Sequence, residues 1–305
     1  MDFLDKNIIS IEDFSKDDIL KILSTAEEIE KSNNNKLLEG KILATLFFEP
    51  STRTRLSHES AMLRLGGKVL GFSDPSMTSG KKGETLQDTI RMVHHYCDVI
   101  VIRHYLEGAA LEAAKVSKVP IINAGDGANQ HPTQTFLDLY SIKKTQNRLD
   151  NVKVAIVGDL KYGRTVHSLA KGISHFSPEL YFVAPKSLQM PDYILDNLTK
   201  NNINFMETQN IEDIIDKVDI LYMTRIQQER FDNNEEYEKV KDIYELNKSM
   251  LKGCKSNMRI FHPFPRVNEI NVDVDETPHA YYFEQAGNAV PVRQALFSLV
   301  LGAKK

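Results

Sequence analysis

The chain has 305 residues, enough for two domains of ordinary size, each able to bury its own core. Its composition is that of a soluble globular protein, and a net charge of −4 argues against a general nucleic-acid or membrane surface. Local basic clusters are therefore read as sites. Cys97 and Cys254 lie far apart with no CxxC spacing, so neither a disulfide framework nor a thiolate metal centre is indicated. The opening Met1-Asp2-Phe3-Leu4-Asp5 lacks the basic and apolar regions of a signal peptide, and no apolar run reaches bilayer length. A reducing, cytoplasmic setting is the expectation.

The first element in chain order is a helix after Ser15. That residue is a fair N-cap, Asp17 and Asp18 sit in the first turn, and Ile19, Leu20, Ile22, Leu23, Ala26 and Ile29 form one stripe. The polar run Ser32-Asn33-Asn34-Asn35 ends it. Apolar runs at 42–48, 68–72, 98–102 and 119–123 then read as strands, with helical patterns near 53–65, 84–96 and 106–116 between them. A helix over 132–146, with a polar exit at Lys143 to Arg148, closes this series. A second series follows, with strands at 152–157, 180–184, 203–206, 218–223 and 258–261 and helices near 164–174, 191–199 and 211–216. The Asn- and Glu-rich stretch 227–241 reads as an exposed loop, and 286–301 as one more helix. Strand–helix alternation of this kind predicts an α/β protein with two doubly wound parallel-sheet domains and helices on both faces.

Unusual residues fall just after the strand candidates, where open α/β sheets bind ligands. The most informative segment is Phe48-Glu49-Pro50-Ser51-Thr52-Arg53-Thr54-Arg55. It is a strand, a tight turn and a helix start. Free N–H groups and the positive end of the helix dipole favour an anion there. Ser51, Thr52, Arg53 and Thr54 add donors that match the tetrahedral oxygens of a phosphate. A plain helix cap needs one hydroxyl, and this turn has three, interleaved with Arg.

Arg103-His104 ends the third strand, where a cation needs an anionic partner such as a phosphate or a developing oxyanion. Asn123 to Gln134 contains a Gly-rich loop; Pro132 suits a first helical turn and places His131 at the helix start. The dipole there disfavours an imidazolium, and a neutral ring can donate one hydrogen bond to a carbonyl oxygen. Gln134, one turn on, can present its side-chain amide to a ligand's polar group. Thr78-Ser79-Gly80-Lys81-Lys82-Gly83 is a basic loop suited to closing over a dianion.

Gly158-Asp159-Leu160-Lys161-Tyr162-Gly163-Arg164-Thr165 is a near miss for a P-loop. Arg164 stands where the phosphate-binding Lys belongs, and the strand at 218–223 ends in Thr224-Arg225 rather than an acid. Carboxylate binding by Arg164 is the preferred reading over nucleotide hydrolysis. Arg225 can hold a carboxylate bidentately, and Gln227 adds amide donors. In His262-Pro263-Phe264-Pro265-Arg266, two prolines fix a loop whose carbonyls cannot all pair internally and can face a ligand amine or amide.

Taken together, FFEPSTRTR, GKKGETLQDTI, IVIRH, NAGDGANQHPTQT, VGDLKYGRTVHS, DILYMTRIQ, HPFPR and QAGNAVPVRQAL resemble the aspartate carbamoyltransferase catalytic chains over nearly the whole length. The resemblance implies transfer of a carbamoyl group from carbamoyl phosphate to L-aspartate, early in de novo pyrimidine biosynthesis, with no cofactor and no metal. It implies that Ser51, Thr52, Arg53 and Thr54 bind the phosphate, and that Arg103, His131 and Thr54 contact the carbamoyl oxygen. Gln134 then serves the carbamoyl nitrogen, Arg164, Arg225 and Gln227 the aspartate carboxylates with Lys82 also on the aspartate side, and the carbonyls of Pro263 and Phe264 the reacting amine and carbamoyl NH₂.

A carbamoyl-phosphate domain of residues 1–131 with the terminal helix 287–305, and an aspartate domain of 132–286, are implied as well. So are a homotrimer whose sites are completed by Ser79 and Lys82 of a neighbour, a possible regulatory chain, and domain closure with Glu49 pairing to Arg164 and Arg230. The loop at Thr78 to Lys82 is one residue shorter than the family pattern TS-x-GKK, so either Thr78 or Ser79 supplies its hydroxyl. Phe264 stands where Leu is common, with little effect expected on a backbone acceptor. The related ornithine enzymes share the phosphate turn and the HPTQ segment but carry a Cys in the late loop. A silent metabolite-binding protein is the alternative outside enzymes, opposed by the presence of every expected catalytic residue type.

Overall fold

The structure, a computed structural model, describes residues 3–32, 35–74, 79–231 and 233–304. Its chain divides into two compact units: Met1–Leu137 with Gly287–Lys305, and Asp138–Ala286.

The first unit is built on four parallel strands, β1 (Ile42–Phe47), β2 (Lys68–Phe72), β3 (Val99–His104) and β4 (Ile121–Asp126), in the order β2-β1-β3-β4. The inner strands are apolar along their length because both faces are covered, and β2, at the edge, is partly exposed. Ala44, Leu46, Ile90, Ile100, Ile102, Ala110, Ala113 and Ile121 form one core cluster, each large side chain worth about 1.5–3 kcal/mol of burial. The helices are α1 (Lys16–Lys31), α2 (Thr52–Arg64), α3 (Leu86–Val93), α4 (Ala109–Val116) and the first turns of α5 (Pro132–Gln146). α1 begins as its sequence requires. Ser15 and Asp18 form a reciprocal capping box, with Asp18 N donating to Ser15 Oγ and Ser15 N to Asp18 Oδ2.

The second unit carries five parallel strands, β5 (Lys153–Val157), β6 (Glu179–Val183), β7 (Asn204–Thr208), β8 (Ile220–Met223) and β9 (Arg259–Phe261), in the order β7-β6-β5-β8-β9. Its helices are α6 (Arg164–Ile173), α7 (Asp192–Lys200), α8 (Asn234–Glu238) and α9 (Tyr282–Gly287). At the start of β8, buried Asp219 gathers the approaching chain. It accepts from Lys153 N (3.1 Å), Arg148 Nη2 (2.9 Å), Lys255 Nζ (3.0 Å) and Asn257 Nδ2 (3.1 Å). In each sheet the strand order reverses once, between β1 and β3 and between β5 and β8. Right-handed crossovers on either side of a reversal place the connecting helices on opposite faces and open a crevice at the strands' carboxyl ends. Two doubly wound sheets result.

Three sequence expectations give way. The helix predicted near 211–216 is a single 3-10 turn, Ile211–Asp213. Three β-branched isoleucines and two aspartates in so short a stretch do not repay helix nucleation. The predicted single tail helix over 286–301 is two helices, α9 and α10 (Ala289–Val300), broken at Asn288. In one continuous helix the ring of Pro291 would meet the Gly287 carbonyl four residues back; restarting at Ala289 puts the proline in a first turn, where its missing N–H is harmless. The stretch 227–241 is not simply an exposed loop. It holds a 3-10 turn, Gln228–Arg230, and α8, and Val240 packs with Leu188 and Ile226, flanked by Tyr162, Phe231 and Tyr237.

Candidate functional site

In the first unit the phosphate turn follows β1, Arg103 lies near the end of β3, and the Gly-rich loop follows β4. These are three adjacent strands, so one sheet edge carries all three features. Phe48 N donates to Arg103 O (2.8 Å), and Gly127 N to His104 O (3.0 Å), stitching the loops side by side. α2 starts at Thr52, and Ser51 is its extended N-cap residue, yet the Ser51 hydroxyl makes no cap hydrogen bond. Capping therefore does not account for the hydroxyl-rich turn, and the first N–H groups of α2 have no intrahelical acceptor. Thr54 is buried while Thr52 and Arg53 are exposed. The Thr54 carbonyl accepts from His58 Nδ1 at 2.7 Å, which puts that ring's proton on Nδ1. Burial, with Arg293 as a second cause, holds the His58 imidazole well below its ordinary pKa and so neutral.

Arg103 is half-buried. Its Nη1 donates to Ala124 O (3.3 Å), and its Nε lies 3.1 Å from Glu49 Oε2. The loop before α5 is held by buried Asp126, which accepts from Gly108 N (2.8 Å), Gln130 N (3.1 Å) and Asn129 Nδ2 (3.1 Å). His131 is thereby delivered to the start of α5, buried, with Nδ1 3.4 Å from Thr133 Oγ1 and its carbonyl accepting from Gln134 N (3.0 Å). Gln134 is also buried. Lys82 ends a 3-10 turn, Ser79–Lys82, and is exposed; Thr78 lies outside the described residues.

The second unit repeats the arrangement. The loop Gly158–Gly163 follows β5, Arg225 and Gln227 follow β8, and His262 to Phe264 follow β9, again three adjacent strands. Arg164 is the first residue of α6 and is half-buried, as are Arg225 and Gln227. Two contacts join the first two loops. Gly158 has φ +120°, and a Cβ there would stand 2.2 Å from the Thr224 carbonyl oxygen. Asp159, fully buried, accepts from Tyr162 N (3.0 Å) and Gln227 N (3.4 Å). Burial pushes the Asp159 carboxyl above its usual range, opposed by these N–H groups and by the Arg225 charge. Lys161 is held above the ordinary lysine range, first by its hydrogen bond with Tyr162, with a smaller contribution from Glu236.

Gly158→Ala is expected to push the Thr224 carbonyl away and carry Arg225 with it. Thermal or chemical denaturation should show a stability cost of about 1–3 kcal/mol, with any ligand affinity that depends on Arg225 falling about tenfold.

Sequence reading missed three participants. Asp159 bridges two loops, and its signal was an acid directly after a strand-ending glycine. Glu269 is buried against His262, and only the fold brings them together. Arg293 is buried on α10 and bonds to Ser57, one turn behind the phosphate turn.

Two doubly wound parallel sheets, each carrying cationic and amide side chains in the loops at the reversal of its strand order, define an α/β protein of two ligand-binding-type units. Family models for the aspartate/ornithine carbamoyltransferases match nearly all of it: the carbamoyl-P binding domain over residues 6–144 and the Asp/Orn binding domain over residues 150–300. The chain belongs to the aspartate/ornithine carbamoyltransferase family. It is 60% identical over 298 residues to the aspartate carbamoyltransferase catalytic subunit of Parabacteroides distasonis, covering 97% of each chain. Among solved structures, the catalytic subunit of M. jannaschii aspartate transcarbamoylase matches with a TM-score of 0.90 at 50% identity, over 98% of this chain and 100% of that one. Aspartate transcarbamoylase from Trypanosoma cruzi, in complex with carbamoyl phosphate and aspartate, matches with a TM-score of 0.91 at 37% identity, over 98% and 96%.

Proposed function

We propose that this chain transfers the carbamoyl group of carbamoyl phosphate to the amine of L-aspartate, giving N-carbamoyl-L-aspartate and phosphate, an early step of de novo pyrimidine biosynthesis. The observation that carries the reading is the hydroxyl- and arginine-bearing turn at α2, whose cap hydroxyl is not used as a cap, on a chain with this ancestry. The first unit is the carbamoyl-phosphate-binding domain and the second the aspartate-binding domain. Ser51, Thr52, Arg53 and Thr54 hold the phosphate. Arg103, His131 and Thr54 face the carbamoyl oxygen, and Gln134 its nitrogen. Arg164, Arg225 and Gln227 hold the carboxylates of aspartate, and the Pro263 and Phe264 carbonyls accept from the amine and the carbamoyl NH₂.

Chemistry follows from those placements. The neutral amine attacks the carbamoyl carbon, and a C–N bond forms. The carbonyl oxygen takes up negative charge, which Arg103, His131 and Thr54 stabilise more strongly than they stabilise the ground state. Collapse breaks the bond from carbon to the phosphate oxygen. The amine proton passes to a phosphate oxygen of the leaving group, and Arg53, Lys82 and the α2 N–H groups stabilise the departing phosphate. No side chain becomes acylated. Positioning two mutually repelling anions supplies much of the rate, up to about 7–11 kcal/mol for ideal alignment.

A homotrimer fits the same reading, with Ser79 and Lys82 completing a neighbour's site. Leu56, Leu63, Leu70, Met92 and Tyr96 of the first unit are exposed apolar side chains, of the kind that a subunit contact covers. A regulatory chain can join such trimers. No helix among the described residues is long and apolar enough to cross a membrane, which is compatible with a cytoplasmic enzyme. The test is an assay of the purified chain with carbamoyl phosphate and either aspartate or ornithine, beside a sizing measurement. Carbamoyl-aspartate from a species of three chain masses is expected. Product only with ornithine would overturn the substrate, and a monomer of full activity would overturn the shared site.

A further inference from the structure

The turn after β9 is held through both nitrogens of one buried imidazole. His262 Nδ1 lies 2.7 Å from Phe264 N, and His262 Nε2 lies 2.5 Å from Glu269 Oε1. A backbone N–H can only donate, so Nδ1 accepts, and the ring proton sits on Nε2 and is given to the carboxylate. Glu269 is itself buried and accepts from Val267 N (3.2 Å) and Asn268 N (3.1 Å), so the group that orients the ring is anchored to the main chain. Burial raises the Glu269 carboxyl pKa, but the hydrogen bond from His262 and those N–H groups outweigh it and hold the group ionised below its usual range.

The other side of the turn is fixed too. His262 N donates to Gln285 Oε1 (2.8 Å), Gln285 Nε2 donates to Asp138 Oδ1 (2.7 Å), and Tyr222 donates its hydroxyl to Asp138 Oδ2 (2.9 Å). Between these anchors Pro263 and Phe264 are partly exposed, and Phe264 has φ +60°, a left-handed conformation uncommon outside glycine. The Phe264 ring packs against Phe283 with centroids 5.6 Å apart. A left-handed residue beside a proline needs something to hold it, and the bond from Phe264 N to the His262 ring closes that turn as an Asx side chain closes one two residues on.

We propose that His262, oriented by Glu269, is a positioning residue that aims the Pro263 and Phe264 carbonyls at the reacting amine and carbamoyl NH₂; this rests on the carbamoyl-transfer reading above. His262 itself meets neither substrate. Its effect runs through the backbone, where a displacement of about 1 Å costs up to about 10²-fold in rate.

Two substitutions separate the two ring nitrogens. In His262→Asn the amide oxygen stands near the place of Nδ1 and can close a true Asx turn to the N–H of residue 264. In His262→Gln the amide reaches toward Glu269 but offers no acceptor to that N–H. The expected result is a kcat lower by about 10²-fold in H262Q and by less than about tenfold in H262N. The dissociation constant for inorganic phosphate, read by calorimetry, should be unchanged in both, because the phosphate cradle belongs to the other unit. Equal kcat losses in the two variants, or wild-type kcat in H262Q, would overturn the proposal. Should neither variant fold by near-ultraviolet circular dichroism, Glu269→Gln replaces them. A fall in kcat of about tenfold with phosphate affinity intact supports the proposal, and an unchanged kcat overturns it. Wild-type protein that makes no carbamoyl-aspartate would sink the underlying reading instead, independently of how the variants compare.

Discussion

Arg53→Ala is expected to lower kcat/KM for carbamoyl phosphate by about 10²–10³-fold, the range found when one directed donor to a developing charge is removed. Arg53 is the first guanidinium of α2, exposed at the turn where three N–H groups also lack intrahelical partners. Those N–H groups and the helix dipole remain in the variant, so binding weakens without vanishing. The dissociation constant for inorganic phosphate should rise, while the Michaelis constant for aspartate at saturating carbamoyl phosphate changes little. Arg53→Lys restores charge but not the planar fork and should recover only part of the loss. Steady-state kinetics with both substrates varied decide it; a variant with wild-type kcat/KM for carbamoyl phosphate would place the phosphate elsewhere.

Arg225→Ala should show the opposite pattern. Hydrogen bonds to a charged partner contribute about 1.5–3 kcal/mol, so the Michaelis constant for aspartate should rise about 10–100-fold with carbamoyl-phosphate affinity untouched. The change has a second arm. Arg225 is one of the favourable charges near buried Asp159, which bridges the β5 and β8 loops. Removing the cation raises the Asp159 carboxyl further, and Asp159→Asn in the Arg225→Ala background should therefore cost less aspartate affinity than the same change in the wild type. A double-mutant cycle on the Michaelis constant for aspartate measures that coupling. Strict additivity would show that the two side chains act independently.

Much of this was legible in the order of residues. Apolar runs of strand length followed closely by Gly, Ser or Arg mark the carboxyl ends of β1, β3, β5 and β8, because a buried strand must be apolar and a ligand edge must not be. Ser51 to Thr54, Arg103, Arg164 and Arg225 all stood out for that reason. What stayed hidden depends on how the chain turns back on itself, over seven residues in one case and over most of its length in another. Nothing near His262 announces that its ring will meet Glu269, and nothing near Ser57 points to Arg293, more than two hundred residues on. The expected helix at 211–216 failed because periodicity was read without weighing nucleation cost. The tail pattern is helical throughout, and only the ring of Pro291, which a continuous helix cannot seat, marks the break.

The path of the chain carries a further consequence. It leaves the first unit after Leu137 and returns at Gly287, and α10 then packs on α1 and α2, with Arg293 reaching Ser57. The second unit is contiguous and can close its core as soon as it clears the ribosome. The helix bearing the phosphate turn must wait through the translation of everything between for its final neighbour. A nascent chain stalled before that return would thus hold a complete second unit and an incomplete first unit, whose unburied apolar surface is then the part open to misassembly.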